Sequence, residues 1–152
     1  MKLRDILKKD AIVDDLKSED KKGTLTELAI AACKVIPALN KDDVLSVLLN
    51  REKLGSTGIG NGIAIPHGKI ASLDSIFAIF GRSHGGVNFE SHDQKPTPLV
   101  FVLLAPEAAI GSHLQALARL SRLLKESSMR EKLIKCLPEE LFDILLTEDD
   151  KL

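Results

Sequence analysis

The chain is poor in aromatics, which make up 3% of its 152 residues, with five Phe and neither Trp nor Tyr. Stacking platforms for single-stranded nucleic acid are therefore missing, and the core has to be built from aliphatic side chains. An excess of either charge sign is lacking too. A formal net charge of −1 argues against a broad electrostatic nucleic-acid surface. The two cysteines, Cys33 and Cys136, lie far apart, show no C-x-x-C spacing and fall in apolar helical patterns. They read as small hydrophobes in a reducing compartment. No apolar run approaches the ~18 residues that span a bilayer, and the N-terminal MKLRDILKKD has no signal-like apolar region. The expected location is the cytoplasm, without membrane insertion.

What is present is ordinary in bulk. Hydrophobic residues at 44% and charged residues at 28% sit near the averages for soluble globular chains, and the length suits one domain over residues 1–152 with its own core. Leu3, Ile6 and Leu7 suggest a short amphipathic turn, and Ala11 to Leu16 is short enough for a strand. Ser18 to Gly23, SEDKKG, reads as a solvated turn whose charges need no functional explanation. TLTE at Thr24 to Glu27 is a capping-box pattern that predicts a helix start, and the periodic apolar residues run on to Ile36 and Pro37. A second helix is predicted from Asn40, with Asp42 and Asp43 in its first turn, to about Lys53.

Further along, Ser75 to Gly81 and Pro98 to Leu104 read as central buried strands. Gly85-Gly86 reads as a turn and Val87 to Phe89 as a short strand. Ser112 resembles the N-cap of a helix running through Leu124, and two shorter helices are predicted at about Ser128 to Leu137 and Pro138 to Leu146. Helices, then strands, then helices, with no linker or repeat, predict a single α/β domain. The expected sheet is mixed, parallel and antiparallel, with helices on both faces.

One stretch departs from this pattern. Leu54 to Lys69, LGSTGIGNGIAIPHGK, concentrates Gly55, Gly58, Gly60 and Gly62 and then sets His67 between Pro66 and Gly68. Four glycines cost stability that a plain loop would not give up, so the segment reads as a device that presents His67. Zinc chemistry lacks ligands at suitable spacing, since His84 and His92 are eight apart and no cysteine is near. Both read as surface turn residues. No G-x-S-x-G elbow supports a serine nucleophile, and no G-x-x-x-x-G-K-[ST] supports a P-loop. No metal and no cofactor is expected.

What remains is an imidazole that is itself the nucleophile. A phosphoryl group on it would add about −2 charge and call for donors and cations nearby. Candidates are Arg51 at the end of the preceding helix, Ser56 and Thr57, the N–H groups of the glycine turns at Gly58 and Gly60, and His113 in the first turn of a later helix.

Arg51 to Lys69, RExLGSTGIGxGIAIPHGK, is similar to the active-site signature of the fructose/mannitol-type enzyme IIA domains of the bacterial phosphotransferase system. The similarity is greatest to the nitrogen-regulatory branch. It covers essentially the whole chain, because FExHDQKPTPLVFVLLAP and SHLQALARLSRLL also fall in the family's order. The resemblance implies that His67 accepts a phosphoryl group from an HPr-like phosphohistidine protein. It further implies that His113 hydrogen-bonds near that group, that Arg51 is the active-site arginine, and that Ser56 and Thr57 line the pocket.

In the regulatory branch the phosphorylation state selects downstream proteins, whereas in the transport branches the group passes to a IIB protein and on to sugar. The chain ends soon after the domain, as a regulatory protein's would. A third reading is a binding module, never phosphorylated, that uses the glycine loop to sense an anion. On the phosphocarrier reading the glycines leave room for a donor's phosphohistidine, and Ile59, Ile63 and Ile70 form an apolar docking rim.

Overall fold

The computed structural model describes all residues, Met1–Leu152. Its organising element is a hairpin of two long apolar strands, β5 (Phe77–Val87) and β6 (Thr97–Ala105), paired antiparallel at the centre of the sheet. β1 (Leu7–Val13) joins β5 in parallel on one side. On the other side two short strands, β3 (Ile63–Ala64) and β4 (His67–Lys69), pair in parallel with β6, and β2 (Gly58–Gly60) closes the edge antiparallel to β3. β3 and β4 hold one register along β6, with Ile63 opposite Leu99 and His67 opposite Leu103. They are a single strand interrupted at Ile65 and Pro66, where the Ile65 N–H turns away to the Thr57 carbonyl.

Alternation along β5 sets the layers, because successive side chains point to opposite faces. Gly81 lies against Leu28 of α1 (Lys21–Val35), whereas Arg82 reaches the carbonyls of Leu133 and Cys136 at the end of α4 (Ser127–Lys135). α1 and α2 (Lys41–Glu52) therefore cover one face. α3 (Ile110–Leu123) and α4 cover the other, and α5 (Leu141–Asp150) packs at the β1 end. This is the expected α/β domain with a mixed sheet between helices. The core is aliphatic apart from four of the five phenylalanines, with Phe80 and Phe101 paired across the hairpin at 4.7 Å between centroids.

Arg82 is fully buried without a carboxylate partner. Its guanidinium donates to three backbone carbonyls, of Asp14, Leu133 and Cys136. Two of those belong to the end of a helix, where the unpaired carbonyls carry partial negative charge.

Several predicted boundaries move. α1 starts at Lys21, since the Asp20 carboxylate accepts from Gly23 N–H one turn earlier than the expected Thr24 cap. Glu27 instead receives the N–H groups of Lys17 and Ser18, which holds the preceding loop. β1 begins at Leu7 rather than Ala11 because it is an edge strand with Lys8, Lys9 and Asp10 exposed, and that polar run hides it from a hydrophobicity reading. Gly85 and Gly86 form an irregularity inside β5 rather than a turn, which absorbs the separate strand expected at Val87. α3 begins at Ile110 with no side-chain cap, so Ser112 lies inside its first turn. Pro138 opens a short 3₁₀ turn, Pro138–Glu140, and α5 follows it.

Candidate functional site

His67 stands on β4, at a level where the sheet has no strand beyond it. The strand alternation turns Gly68 toward Val47 of α2 and leaves His67 on the opposite face, the side of α3. The imidazole is held by a strand and is half-buried.

Two contacts fix its protonation. The Ile65 carbonyl can only accept, so His67 Nδ1, 2.8 Å away, carries the proton. Arg51 Nε can only donate, so His67 Nε2, 3.3 Å away, presents its lone pair. The ring is therefore the neutral Nδ1–H tautomer, and Nε2 carries the lone pair. Arg51 is itself anchored through Nη1, which donates to the Gly55 carbonyl at 2.9 Å.

His113, in the first turn of α3, meets His67 edge to face, with centroids 5.3 Å apart and planes at 88°. It is only 8% exposed, and its Nε2 is buried with no hydrogen-bond partner. Burial above all, and then the neighbouring His67 and Lys69, hold its pKa below the usual imidazole range. A neutral ring follows at physiological pH, with one nitrogen able to donate. A buried polar atom without a partner costs free energy, roughly 1–3 kcal/mol.

Arg51, His67 and His113 are thus brought together. Ser56 and Thr57 are placed differently. The Ser56 hydroxyl donates to the Phe89 carbonyl and accepts from Gly58 N–H, and the buried Thr57 hydroxyl donates to Glu52. Both side chains brace the turn. The glycines also have internal reasons. A Cβ on Gly58 would come within 2.9 Å of the Ser91 backbone, and Gly60, Asn61 and Gly62 all take positive φ in the β2–β3 turn. Only at Gly55 does the space beyond remain open, and there a φ of +135° is itself a reason for glycine, so none of the four requires room for a second protein.

Of the expected docking rim, Ile63 and Ile70 are buried core residues, and Ile59 alone is exposed. The exposed apolar residues near the site in sequence are Leu54, Ile59, Ile110 and Leu114. Of these, only Ile59 belongs to the expected rim. His92 donates to the Ser56 carbonyl, and His84 lies in β5 near Asp15; both are exposed, and neither touches His67. No group of three His, Cys, Asp or Glu side chains is arranged to hold a metal ion. An open cleft of about 640 Å³, lined in part by Lys17, His84 and Lys95, contains none of the site residues. His67 is instead half-buried, and the His113 ring beside it is buried.

Residues 5–148 match the family described as phosphoenolpyruvate-dependent sugar phosphotransferase system, EIIA 2. The chain belongs to this EIIA family. Its members act in phosphoryl transfer, which agrees with a free imidazole lone pair beside a cation and a buried donor. A nitrogen regulatory protein of Bradyrhizobium diazoefficiens is 47% identical over 133 residues, 88% of this chain and 86% of that protein. The fructose-specific EIIABC component of Bacillus subtilis is 38% identical over 151 residues, 99% of this chain and 24% of that larger protein. Among solved structures, nitrogen regulatory protein IIA-Ntr from Neisseria meningitidis superposes with a TM-score of 0.86 at 39% identity, covering 93% of this chain and 97% of its own. The EIIA fold is thereby matched over nearly the whole chain. No helix is long and apolar enough to cross a membrane.

Proposed function

We propose that His67 Nε2 accepts a phosphoryl group from the phosphohistidine of an HPr-like carrier protein, and that this EIIA chain is a nitrogen-type regulatory protein acting in the cytoplasm. The observation that carries the chemistry is the tautomer of His67: Nδ1–H is committed to the Ile65 carbonyl, and the Nε2 lone pair is directed at Arg51. In the transfer, the P–N bond to the donor ring breaks as the bond to His67 Nε2 forms. The electron pair of the broken bond returns to the donor nitrogen. No proton need cross, because each ring keeps its other N–H. Positive charge gained by the His67 ring is stabilised through the bond to Ile65.

Once Nε2 is phosphorylated it no longer accepts from Arg51, and the guanidinium turns to the phosphoryl oxygens already within its reach. The unpaired His113 Nε2 supplies a further donor from the buried side. Binding of downstream regulatory proteins then follows from replacing a neutral imidazole by a dianionic group at the surface.

A transport role, with onward transfer to a IIB protein, is favoured by one observation, the 38% identity to a fructose-specific component over nearly all of this chain. Incubation with phosphoenolpyruvate, enzyme I and an HPr-type carrier tests the chemistry. An acid-labile gain of one phosphoryl mass is expected, absent in His67→Ala; no gain in the parent protein, or the same gain in the variant, overturns it. Rapid discharge to a fructose-type IIB domain would replace the regulatory reading by transport.

A further inference from the structure

Glu52 follows Arg51 in the last turn of α2, where the helix dipole disfavours a carboxylate. It is also 9% exposed, so the charge has lost most of its water. Three donors compensate it. Lys21 Nζ lies 3.0 Å from one oxygen, Thr57 N–H donates to the same oxygen at 3.0 Å, and the Thr57 hydroxyl donates to the other. Lys21 is well covered, and its ammonium sits over the Phe89 ring at 5.2 Å from the centroid. The Phe89 carbonyl in turn receives the Ser56 hydroxyl. These ties form a closed ring around the turn that contains Gly55, the acceptor for Arg51 Nη1.

We propose that Glu52, with Lys21 as its counter-charge, is a positioning pair for phosphoryl transfer: it fixes the Gly55–Thr57 turn and so aims Arg51 Nε at His67 Nε2. The pairing has a second effect. A carboxylate beside Arg51 in sequence is a competing partner for the guanidinium and repels a phosphoryl group. Commitment of Glu52 to Lys21 and Thr57 removes that competition. The kinetic part of the proposal rests on His67 being phosphorylated, but the geometric part does not.

Nitrogen-15 spectra of the unphosphorylated protein therefore decide the geometry, and initial rates of phosphorylation decide its use. In Glu52→Ala the His67 ring is expected to lose its single Nδ1–H tautomer and the Arg51 Nε–H signal to shift. The rate of phosphorylation falls about 10-fold or more, in line with misplacement of a stabilising donor. Glu52→Gln keeps an acceptor for Thr57 N–H and restores most of both readouts. Lys21→Met, which leaves the carboxylate without its counter-charge, is more impaired than the neutral double variant Lys21→Met/Glu52→Gln. That double variant also carries the test if Glu52→Ala does not fold. Parental spectra and rate in a folded Glu52→Ala, or Lys21→Met no worse than the double variant, overturn the proposal. If even the parent protein takes up no phosphoryl group, the function reading fails while the spectra still decide the positioning role.

Discussion

His67 and His113 stand edge to face across the sheet–α3 junction, and their outer nitrogens are in opposite conditions. His67 Nε2 accepts from Arg51, while His113 Nε2 is buried and bonded to nothing. The first is a lone pair already facing a cation. The second is a donor or acceptor left without a partner.

Replacement of His113 should separate acceptance from stabilisation. In His113→Ala, His67 is still modified, but the initial rate falls by about 10²-fold, the size expected for one preorganised donor. The lifetime of the phosphorylated form also shortens. Time courses of phosphorylation and of hydrolysis after removal of the donor measure both, and unchanged courses in both directions would make His113 a packing residue.

The lowered pKa of His113 makes a signed prediction for stability. The folded protein takes up that proton less readily than the unfolded chain, whose imidazole titrates near 6.5. The contribution is fully present above that value and is lost as the pH falls through the lowered folded pKa. Urea midpoints at about pH 7.5 and 5.5 should show a larger acid-induced loss in the parent protein than in His113→Gln.

Gly68 lets α2 approach the strand that carries His67. A Cβ at that position would lie 2.2 Å from Val47 Cγ1, so Gly68→Ala must push α2, and Arg51 with it, away from His67. A loss of stability of roughly 1–3 kcal/mol from overpacking is expected together with slower phosphorylation. Val47→Ala in the same chain should recover much of both; failure of that rescue would show that the crowding is not the cause.

The corrected docking rim gives opposite outcomes for two isoleucines of one sequence pattern. Ile59→Asp, at an exposed position, should leave the urea midpoint nearly unchanged and raise the KM for the donor protein. Ile63→Ala, at a position 3% exposed, should cost about 2–4 kcal/mol of stability. Steady-state phosphorylation with varied carrier, beside chemical denaturation of each variant, distinguishes the two.

Much of this was legible from local chemistry. The apolar runs at Ser75–Gly81 and Pro98–Leu104 mark the central strands because buried strands need no polar alternation. The Asn40 cap with Asp42 and Asp43 marks α2 because capping and dipole effects act within one turn. His67 stands out because its glycine-rich setting is unusual among the four histidines. The signature beginning at Arg51 also carried the family, which the comparisons then showed.

Other features lie beyond any local reading. The edge strand β1, the bulge at Gly85-Gly86 and the α1 cap at Asp20 depend on what pairs with what across the fold. Lys21 sits in a run that reads as a solvated turn, yet it meets a carboxylate 31 positions away in the number line, on Glu52. The sequence by itself determined most of the elements, the family and the candidate ring, since each depends on residue type and short spacing. Only the tertiary structure decided which nitrogen of His67 is free, which hydroxyls are already spent on the turn, and which isoleucines face solvent, because those depend on partners brought together by strand register and helix packing.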